Sequence, residues 1–312
     1  MRENRLPVSI LIPTMNRPKA LRRTLDGYLK GEYIPSQIVV VDQSQTSTDR
    51  EEIRCLLQQY KNITEIVYVY QNMPSLTKAR NTAFIYAKEE IIVCSDDDID
   101  VKRDTIKNVY TLMKDPCLAM IAGIDDNVNP KSSKIGYLLG TKSFFNRKIG
   151  HVTYSMLGRF PDKFSESANT MWAMGFFFII RKSLKEKWKL EWDEKLTGYA
   201  YAEDLDFSYS YYKKASANQL SCIMSSSVCV KHLASQEYRT SSRKGTFMYV
   251  LNRAYLSYKH NMGWKSELAM RWCNFWIYMG RILKNDCPQD MWDAMKYLSN
   301  HRNEVRIGKF NY

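Results

Sequence analysis

The sequence lacks the motifs by which many nucleotide-binding and zinc-dependent proteins are identified. No segment matches GxxxxGK[ST], GxGxxG or HExxH, so P-loop, Rossmann dinucleotide and zinc-peptidase sites have no support. No serine or cysteine lies in a nucleophile elbow. The seven cysteines form no CxxC pair, which argues against a zinc site or a disulfide framework and favours reduced thiols.

Long apolar runs are also missing. The longest, WAMGFFFII at residues 172–180, is about half of what a membrane-spanning helix needs. The N-terminal segment has too short an apolar core for a signal peptide. We therefore expect a cytoplasmic protein, or one that is peripheral on the cytoplasmic face of a membrane.

The chain is long enough for one large core, or for one domain with an appendage. It has 312 residues, of which 45% are hydrophobic and 25% charged, an ordinary composition for a globular protein. Its formal net charge is +13. Such an excess favours a polyanionic partner: nucleotide phosphates, an anionic membrane surface or nucleic acid.

Short apolar runs alternate with helical patterns along the first half of the chain. The runs at residues 8–12, 38–41, 66–70 and 91–94 predict an α/β protein with a parallel sheet covered on both faces. Residues 125–170 are polar and irregular, which predicts a long insertion. Because ligands bind at the carboxyl ends of parallel strands, the loop after Pro13, Asp42 and the acids from Asp96 onward are expected to share one crevice.

An acid cluster follows the fourth predicted strand, in the segment IIVCSDDDID. Asp96, Asp97 and Asp98 are consecutive and Asp100 follows. Neighbouring carboxylates raise each other's pKa in a desolvated site, so the cluster needs open solvent or a cation. A solvated turn and a site for Mg²⁺ or Mn²⁺ on a diphosphate both account for it.

Three further segments carry candidate functional side chains. Glu203 and Asp204 open a predicted helix, where they either suit its dipole or supply a general base. In the segment KARN, Lys78 and Arg80 do not share a helical face, and Arg80 is placed to pair with phosphate oxygens. His232 follows the last predicted strand, either as a structural residue or as a metal ligand.

The ordered motifs ILIPTMNRP, IVVVDQS, LTKARN, SDDDI, WDEKL…YAEDLDF and VKH resemble those of a family 2 glycosyltransferase of GT-A fold. The resemblance covers roughly residues 6–235 and implies a role for each group of motif residues. It implies donor-nucleotide contacts from Pro13, Thr14, Arg17, Asp42, Lys78, Arg80, Asp96 and Asp97. It implies metal ligands at Asp96, Asp98 and His232, and catalytic carboxylates at Glu203 and Asp204, with Asp204 as the base.

The chain departs from the family pattern at three places. Ser95 stands where the family often has an acid, so the roles of the three consecutive aspartates stay open. Thr82 and Ala83 replace the usual glycine after ARN, and Met73 and Pro74 replace the glycine of the preceding loop. These changes affect the expected loop geometry and leave the class unchanged.

The resemblance implies an inverting transferase that depends on Mn²⁺ or Mg²⁺. It would move a sugar from a nucleotide-sugar of the UDP or dTDP class to a hydroxyl of a saccharide or lipid-linked saccharide, in surface polysaccharide or glycan assembly. One alternative is a nucleotidyltransferase, although PTMNRP lacks the glycine-rich loop expected there. Another is a non-enzymatic protein that binds anionic surfaces. Nucleic acid is not an expected partner, because the strand-end acids repel phosphates unless they bind metal.

The C-terminal part differs in composition from the rest. We expect a catalytic domain at residues 1–235 and a basic, aromatic-rich helical extension at residues 236–312. Residues 239–284 contain nine lysines or arginines against one acid, a net charge of +8, and nine aromatic residues. Two predicted helical faces are apolar. Either they pack on the catalytic domain, or the extension also lies against an anionic membrane that presents a lipid-linked acceptor.

Overall fold

A computed structural model describes residues 4–126, 134–142, 147–162, 164, 166–233 and 241–310. The predicted domain boundary between residues 235 and 236 lies outside these ranges. Within them, no helix combines the length and the hydropathy needed to cross a membrane.

Strands and helices alternate in the N-terminal third, as the sequence predicts. The elements are β1 (Arg5–Thr14), α1 (Pro18–Leu29), β2 (Ile34–Asp42), α2 (Ser47–Gln58), β3 (Glu65–Tyr70), α3 (Leu76–Ile85) and β4 (Ile91–Ser95). Local chemistry places their boundaries. Pro18 occupies the first turn of α1, where its missing N–H costs nothing, and the Ser75 hydroxyl caps α3 by accepting from the Lys78 N–H.

The second part of the chain completes the sheet through a longer and less regular path. Its elements are β5 (Ile99–Val101), α4 (Thr105–Leu112), β6 (Leu118–Asp125), α5 (Lys134–Leu138), β7 (His151–Val152), β8 (Gly158–Arg159), β9 (Ser167–Asn169), β10 (Phe177–Arg181), α6 (Lys182–Lys187), α7 (Glu203–Ala217) and β11 (Ser221–His232). Four helices follow: α8 (Ser242–Lys259), α9 (Gly263–Lys284), α10 (Pro288–Asn300) and α11 (Arg302–Arg306).

The main sheet is mixed: the four strands for which the sequence predicts parallel pairing are parallel, and antiparallel strands join them in the second half of the sheet. The strand order is β3-β2-β1-β4-β10-β6-β11-β5, with β9 on β11. Strands β1 to β4 pair in parallel, but β10 is antiparallel to both β4 and β6. Residues 177–180 of β10 are fully buried, and a strand buried on both faces has the same apolar pattern in either direction.

Alternate residues of the strands face two hydrophobic clusters, one on each side of the sheet. On β1, Ile10 and Ile12 pack with α1, α2 and α4, whereas Leu11 belongs to the other cluster. This second cluster includes buried residues of α3 and α7 and also of α8, α9, α10 and α11. The C-terminal helices thus share a core with the helices that lie beside the candidate site.

The two apolar faces predicted for the C-terminal helices have different environments. On α8, Val250, Leu251 and Ala254 are buried, as the packing interpretation predicts. On α9 the predicted face is largely exposed: Leu268 retains 55% and Leu283 85% of its accessible surface. The packing interpretation is wrong for that face, because the buried residues of α9 lie on another side of the helix and are Ser266, Met270, Cys273 and Asn274.

Candidate active site

The carboxyl ends of β1, β4 and β11 meet at one edge of the sheet. Thr14 ends β1, and its hydroxyl donates to Asp97 Oδ2 at 2.6 Å. Arg17, in the loop that follows, contacts Asp97 Oδ1 at 2.6 Å and Asp98 Oδ2 at 3.3 Å. His232 ends β11, and its Nε2 lies 3.3 Å from Asp98 Oδ1. The structure therefore brings these motif residues together from three distant parts of the sequence.

Asp97 lies inside the protein and organises its neighbours. Its carboxylate is closed from solvent between Thr14 and Arg17, and its carbonyl accepts from the Thr24 hydroxyl at 2.9 Å. Burial raises the pKa of Asp97 to about 7, against the opposing influence of Arg17 and Thr14. Asp97 can therefore influence a donor nucleotide only through the residues that it holds.

Asp96, Asp98 and His232 form a candidate metal centre. One ligand atom from each lies within 4.8 Å of the other two. The His232 ring stacks on Phe176, with centroids 5.3 Å apart, and its hydrogen bond to Asp98 raises the pKa of the imidazole. Two carboxylates and an imidazole from different segments are a donor set that suits Mn²⁺, and Mg²⁺ with added water.

Arg80 connects this cluster to the second pair of acids. Its Nη2 lies 3.2 Å from Asp96 Oδ1, and its Nε lies 3.1 Å from Glu203 Oε1. The same Nη2 donates to the Gly175 carbonyl at 2.9 Å. Arg80 is only 3% exposed, so its guanidinium acts inside the protein, where it fixes the distance between the metal centre and the start of α7.

Glu203 and Asp204 have different environments, although they are adjacent. Glu203 is buried against Arg80; burial raises the pKa of its carboxyl group, and the guanidinium of Arg80 opposes the shift. Asp204 is partly exposed. Its two oxygens each accept a backbone N–H at 2.8 Å, one from Gly175 and one from Leu205. Desolvation raises the pKa of Asp204, and these two hydrogen bonds limit the rise.

Three other predicted donor-site residues lie apart from this network. Asp42 is fully buried at the end of β2, where it accepts from the Ser44 N–H and the Tyr68 hydroxyl. Pro13 is buried within β1. Lys78 is exposed on α3, on a different face from Arg80, as the helical spacing predicts.

The backbone before α7 has a conformation that the sequence does not reveal. Ala200 and Ala202 both have positive φ, at 53° and 68°, a region that costs a residue with a Cβ about 1–2 kcal/mol. Such strain persists only where the surroundings impose it. Here Asp206, one turn into α7, contacts Lys259 at 2.7 Å and His260 at 2.9 Å, which ties the helix to the end of α8.

Gly175 is a site residue that the sequence analysis missed. A Cβ built on it would lie 3.1 Å from the Asp204 Cβ, and 3.2 Å from both Arg80 Nη2 and Glu203 Oε1. Its N–H and its carbonyl are also the partners of Asp204 and Arg80. The only signal for it in the sequence is a glycine within the apolar run WAMGFFFII.

Comparison with known proteins identifies the family. The model for glycosyl transferase family 2 matches residues 9–188, which is more than half of the chain. The chain belongs to glycosyl transferase family 2. No curated protein matches it.

Solved structures show the same fold as this family 2 glycosyltransferase. Mannosyltransferase PcManGT from Pyrobaculum calidifontis, in complex with GDP-Man and Mn²⁺, has a TM-score of 0.57 and 15% identity, over 98% of this chain and 84% of its own. TarS residues 1–349 from S. aureus has a TM-score of 0.54 and 17% identity, over 97% and 88%. GalNAc-T7 with UDP, GalNAc and Mn²⁺ has a TM-score of 0.56 and 18% identity, over 87% and 55%.

These findings confirm two predictions and decide between the alternatives. The fold is GT-A, with a central sheet, flanking helices and C-terminal helices. The protein is a glycosyltransferase enzyme, since both the family and its structural neighbours are. Nucleotidyl transfer and a purely non-enzymatic role find no support in these matches.

Gly175→Ala is expected to lower kcat by about tenfold to a hundredfold, because its methyl group would displace Asp204 and Arg80 together. The measurement is the initial rate at which the sugar is cleaved from the nucleotide-sugar donor. Thermal unfolding is measured in parallel. Gly245→Ala is the matched control, since a Cβ there meets nothing within 4 Å. Equal rates in the two variants would show that the close approach at Gly175 has no role in catalysis.

Proposed function

We propose that this glycosyltransferase inverts the anomeric configuration as it transfers a hexosyl or deoxyhexosyl group to an acceptor hydroxyl. The observation that carries the proposal is the position of Asp204. It is the partly exposed member of the acid pair, it is held by two backbone N–H groups, and Arg80 links its neighbour Glu203 to the metal-centre residue Asp96. One fixed carboxylate on the acceptor side is what a single in-line displacement requires.

The acceptor, the donor and Asp204 together account for every bond and proton in the proposed step. An Asp204 oxygen takes the proton of the acceptor hydroxyl as the acceptor oxygen bonds to the anomeric carbon. The bond between that carbon and the diphosphate oxygen breaks, and its electron pair leaves with the nucleoside diphosphate. Each Asp204 oxygen accepts one backbone N–H and keeps a second lone pair for this proton. Glu203 is closed from solvent and does not reach an acceptor.

Asp96, Asp98 and His232 would hold Mn²⁺ or Mg²⁺. A bound divalent cation supplies charge stabilisation for the departing diphosphate. In the protein itself, Arg17 bridges Asp97 and Asp98, so the loop after β1 is oriented by the same carboxylates. Thr14 and Arg17 are the proposed donor contacts that lie beside this centre.

The donor is proposed to be a UDP- or dTDP-sugar, and the acceptor a saccharide or lipid-linked saccharide in surface polysaccharide or glycan assembly. Structural neighbours have been solved with UDP and with GDP-Man, so GDP-sugars belong in the test. A thermal-shift screen of nucleotides and nucleotide-sugars, with and without Mn²⁺, identifies the donor. The anomeric configuration of the transfer product, read by NMR, then decides: retention would contradict the proposed mechanism.

We also propose that the enzyme works against an anionic membrane surface, which α9 contacts. Six exposed apolar residues of this helix, the α9 stripe, fall within about 100° of its circumference at 3.6 residues per turn. They are Trp264, Leu268, Trp272, Phe275, Ile282 and Leu283. The exposed Leu138 of α5 extends the stripe, because the Trp272 indole donates to its carbonyl at 2.8 Å.

Charge favours a lipid surface over a second copy of the chain as the occupant of this stripe. The exposed cations Lys265 and Arg271 lie at its edges, and each can contribute about 1 kcal/mol near an anionic bilayer. Two copies packed through the same face would bring these like charges together. Tryptophan at the stripe also suits the interface between water and hydrocarbon.

Co-sedimentation with vesicles tests the membrane contact. The protein is expected to sediment with vesicles that contain anionic lipid at low salt, and less so at high salt or with neutral lipid. Leu268→Glu combined with Leu283→Glu should weaken binding by about tenfold or more, since two exposed leucines would no longer insert.

The control is Gln58→Glu combined with Asn62→Glu, which adds the same charge at exposed positions in or after α2, on the opposite side of the sheet. Equal loss in both variants would show that only net charge matters. Recovery of the wild-type protein in the supernatant under all conditions would overturn the membrane contact.

A further inference from the structure

Arg159 and Arg253 differ from Arg17 and Arg80 in the groups that they contact. Arg17 and Arg80 each face two carboxylates. Arg159 on β8 and Arg253 on α8 face none among the residues that the structure describes. Arg159 donates to the carbonyls of residues 141 and 158, and Arg253 donates to the Ser155 carbonyl and the Asn274 amide oxygen.

Hydrogen-bond donors outnumber acceptors around these two side chains. Arg253 is fully buried, with its guanidinium carbon 4.3 Å from the centre of the Tyr249 ring, and its Nη2 has no partner. The Tyr201 and Tyr249 rings lie 5.3 Å apart. Neither hydroxyl is hydrogen-bonded within the described part of the chain. The cluster therefore offers several N–H and O–H groups, and no carboxylate forms an ion pair with its arginines among the residues that the structure describes.

Such a cluster is unfavourable as it stands. A desolvated cation without a counter-ion costs free energy, and two neighbouring cations repel each other. Burial lowers the pKa of Arg159; Tyr249 and Tyr201 oppose this effect, whereas Arg253 adds to it. A bound oxyanion would supply the missing acceptor atoms and the missing charge, in the geometry that a guanidinium fork matches best.

The cluster includes Tyr201, which is close in sequence to the candidate base. Tyr201 precedes Asp204 by three positions, and its carbonyl accepts from the Asn252 side-chain amide of α8 at 2.8 Å. Arg159, Tyr201 and Tyr249 are each partly exposed, so a solute can reach them. Arg80 lies between the metal-centre residues and the start of α7. A donor diphosphate bound at the metal centre would therefore leave this cluster available for a second ligand.

We propose that Arg159, together with the hydroxyls of Tyr201 and Tyr249, binds an oxyanion carried by the acceptor, with Arg253 as a fixed positive charge behind it. The acceptor is then a saccharide that bears a phosphate or a carboxylate. This assignment of acceptor class rests on the proposed function, whereas the existence of the anion site does not.

Binding of simple anions without donor or metal tests the site. Inorganic phosphate, phenyl phosphate and benzoate are titrated in the presence of EDTA and followed by calorimetry. A comparison of the affinities for phenyl phosphate and benzoate distinguishes a phosphate ligand from a carboxylate ligand. Phenyl glucoside is the neutral control. Arg159→Gln is expected to weaken anion binding by about tenfold to a hundredfold, the effect of removing a charged hydrogen bond. Tyr249→Phe removes one hydroxyl without changing the packing and should weaken binding less.

Arg17→Gln is the matched control, because Arg17 is the cation of the donor side. The inference holds if Arg159→Gln and Tyr249→Phe weaken binding and Arg17→Gln does not. It is overturned if the wild-type protein binds none of the anions, or if only Arg17→Gln weakens binding. Absence of glycosyl transfer from every donor would remove the proposed function and leave this binding result unchanged.

Discussion

Asp204→Asn is expected to lower kcat by about two to four orders of magnitude while donor binding is retained. The amide cannot take the proton of the acceptor hydroxyl. It also cannot accept both backbone N–H groups, since one of its two terminal atoms is a donor. We therefore expect a loss of stability of about 1 kcal/mol from the contact with Gly175 or Leu205. Single-turnover kinetics and thermal unfolding separate the two effects.

Glu203→Gln distinguishes the roles of the two acids. This variant leaves Arg80 with one charged partner fewer in a buried site, so its main expected effect is on stability. Near-normal turnover in Asp204→Asn, with a large loss in Glu203→Gln, would assign the base to Glu203 and contradict the mechanism proposed above.

Asp98→Asn should remove the dependence of donor binding on metal. One of the three candidate ligands loses its charge, so Mn²⁺ affinity is expected to fall by about a hundredfold or more, beyond the tenfold to hundredfold typical of outer-shell partners. The thermal stabilisation given by a nucleoside diphosphate with Mn²⁺ should then equal that with EDTA. The amide is isosteric but has one acceptor oxygen, so the variant can keep the contact to Arg17 or the contact to His232, but not both.

The control for this variant is Asp100→Asn. Asp100 lies two residues further along the same segment and is exposed, so its loss changes the net charge equally without touching the candidate centre. If Asp98→Asn keeps the full metal-dependent stabilisation, Asp98 is not a ligand. If both variants lose the metal-dependent stabilisation equally, the loss reflects the change in net charge and not a specific role of Asp98 as a ligand.

The N-terminal half of the fold could be predicted because its signals are local. Apolar runs of strand length, Pro18 in a first helical turn and the Ser75 cap are each readable within a few residues. Parallel strands joined by helices necessarily bring their carboxyl ends to one edge. The direction of β10 had no such signal, because a strand buried on both faces reads the same in either direction.

The side-chain environments at that edge could not be predicted from the same patterns. Three consecutive aspartates after one strand point to different surroundings: Asp96 to Arg80, Asp97 to Thr14 and Asp98 to His232. Asp42 and Asp97 proved to be closed from solvent, although sequence motifs place them with the donor. The solvent exposure of a residue depends on which distant segment packs over it, and this cannot be predicted from the local sequence.

The sequence by itself determined the class of protein, since an ordered set of motifs placed carboxylates at the ends of neighbouring strands and excluded other nucleotide sites. Only the tertiary structure decided which of the two adjacent acids is partly exposed, that Gly175 contacts it, and that the α9 stripe is exposed. It alone paired Arg80 with two acids and, among the residues that it describes, left Arg159 and Arg253 with none. Several of these properties arise from contacts between distant segments, such as Arg80 with Gly175 and Arg253 with Ser155, where packing and burial set the electrostatic surroundings of each charge.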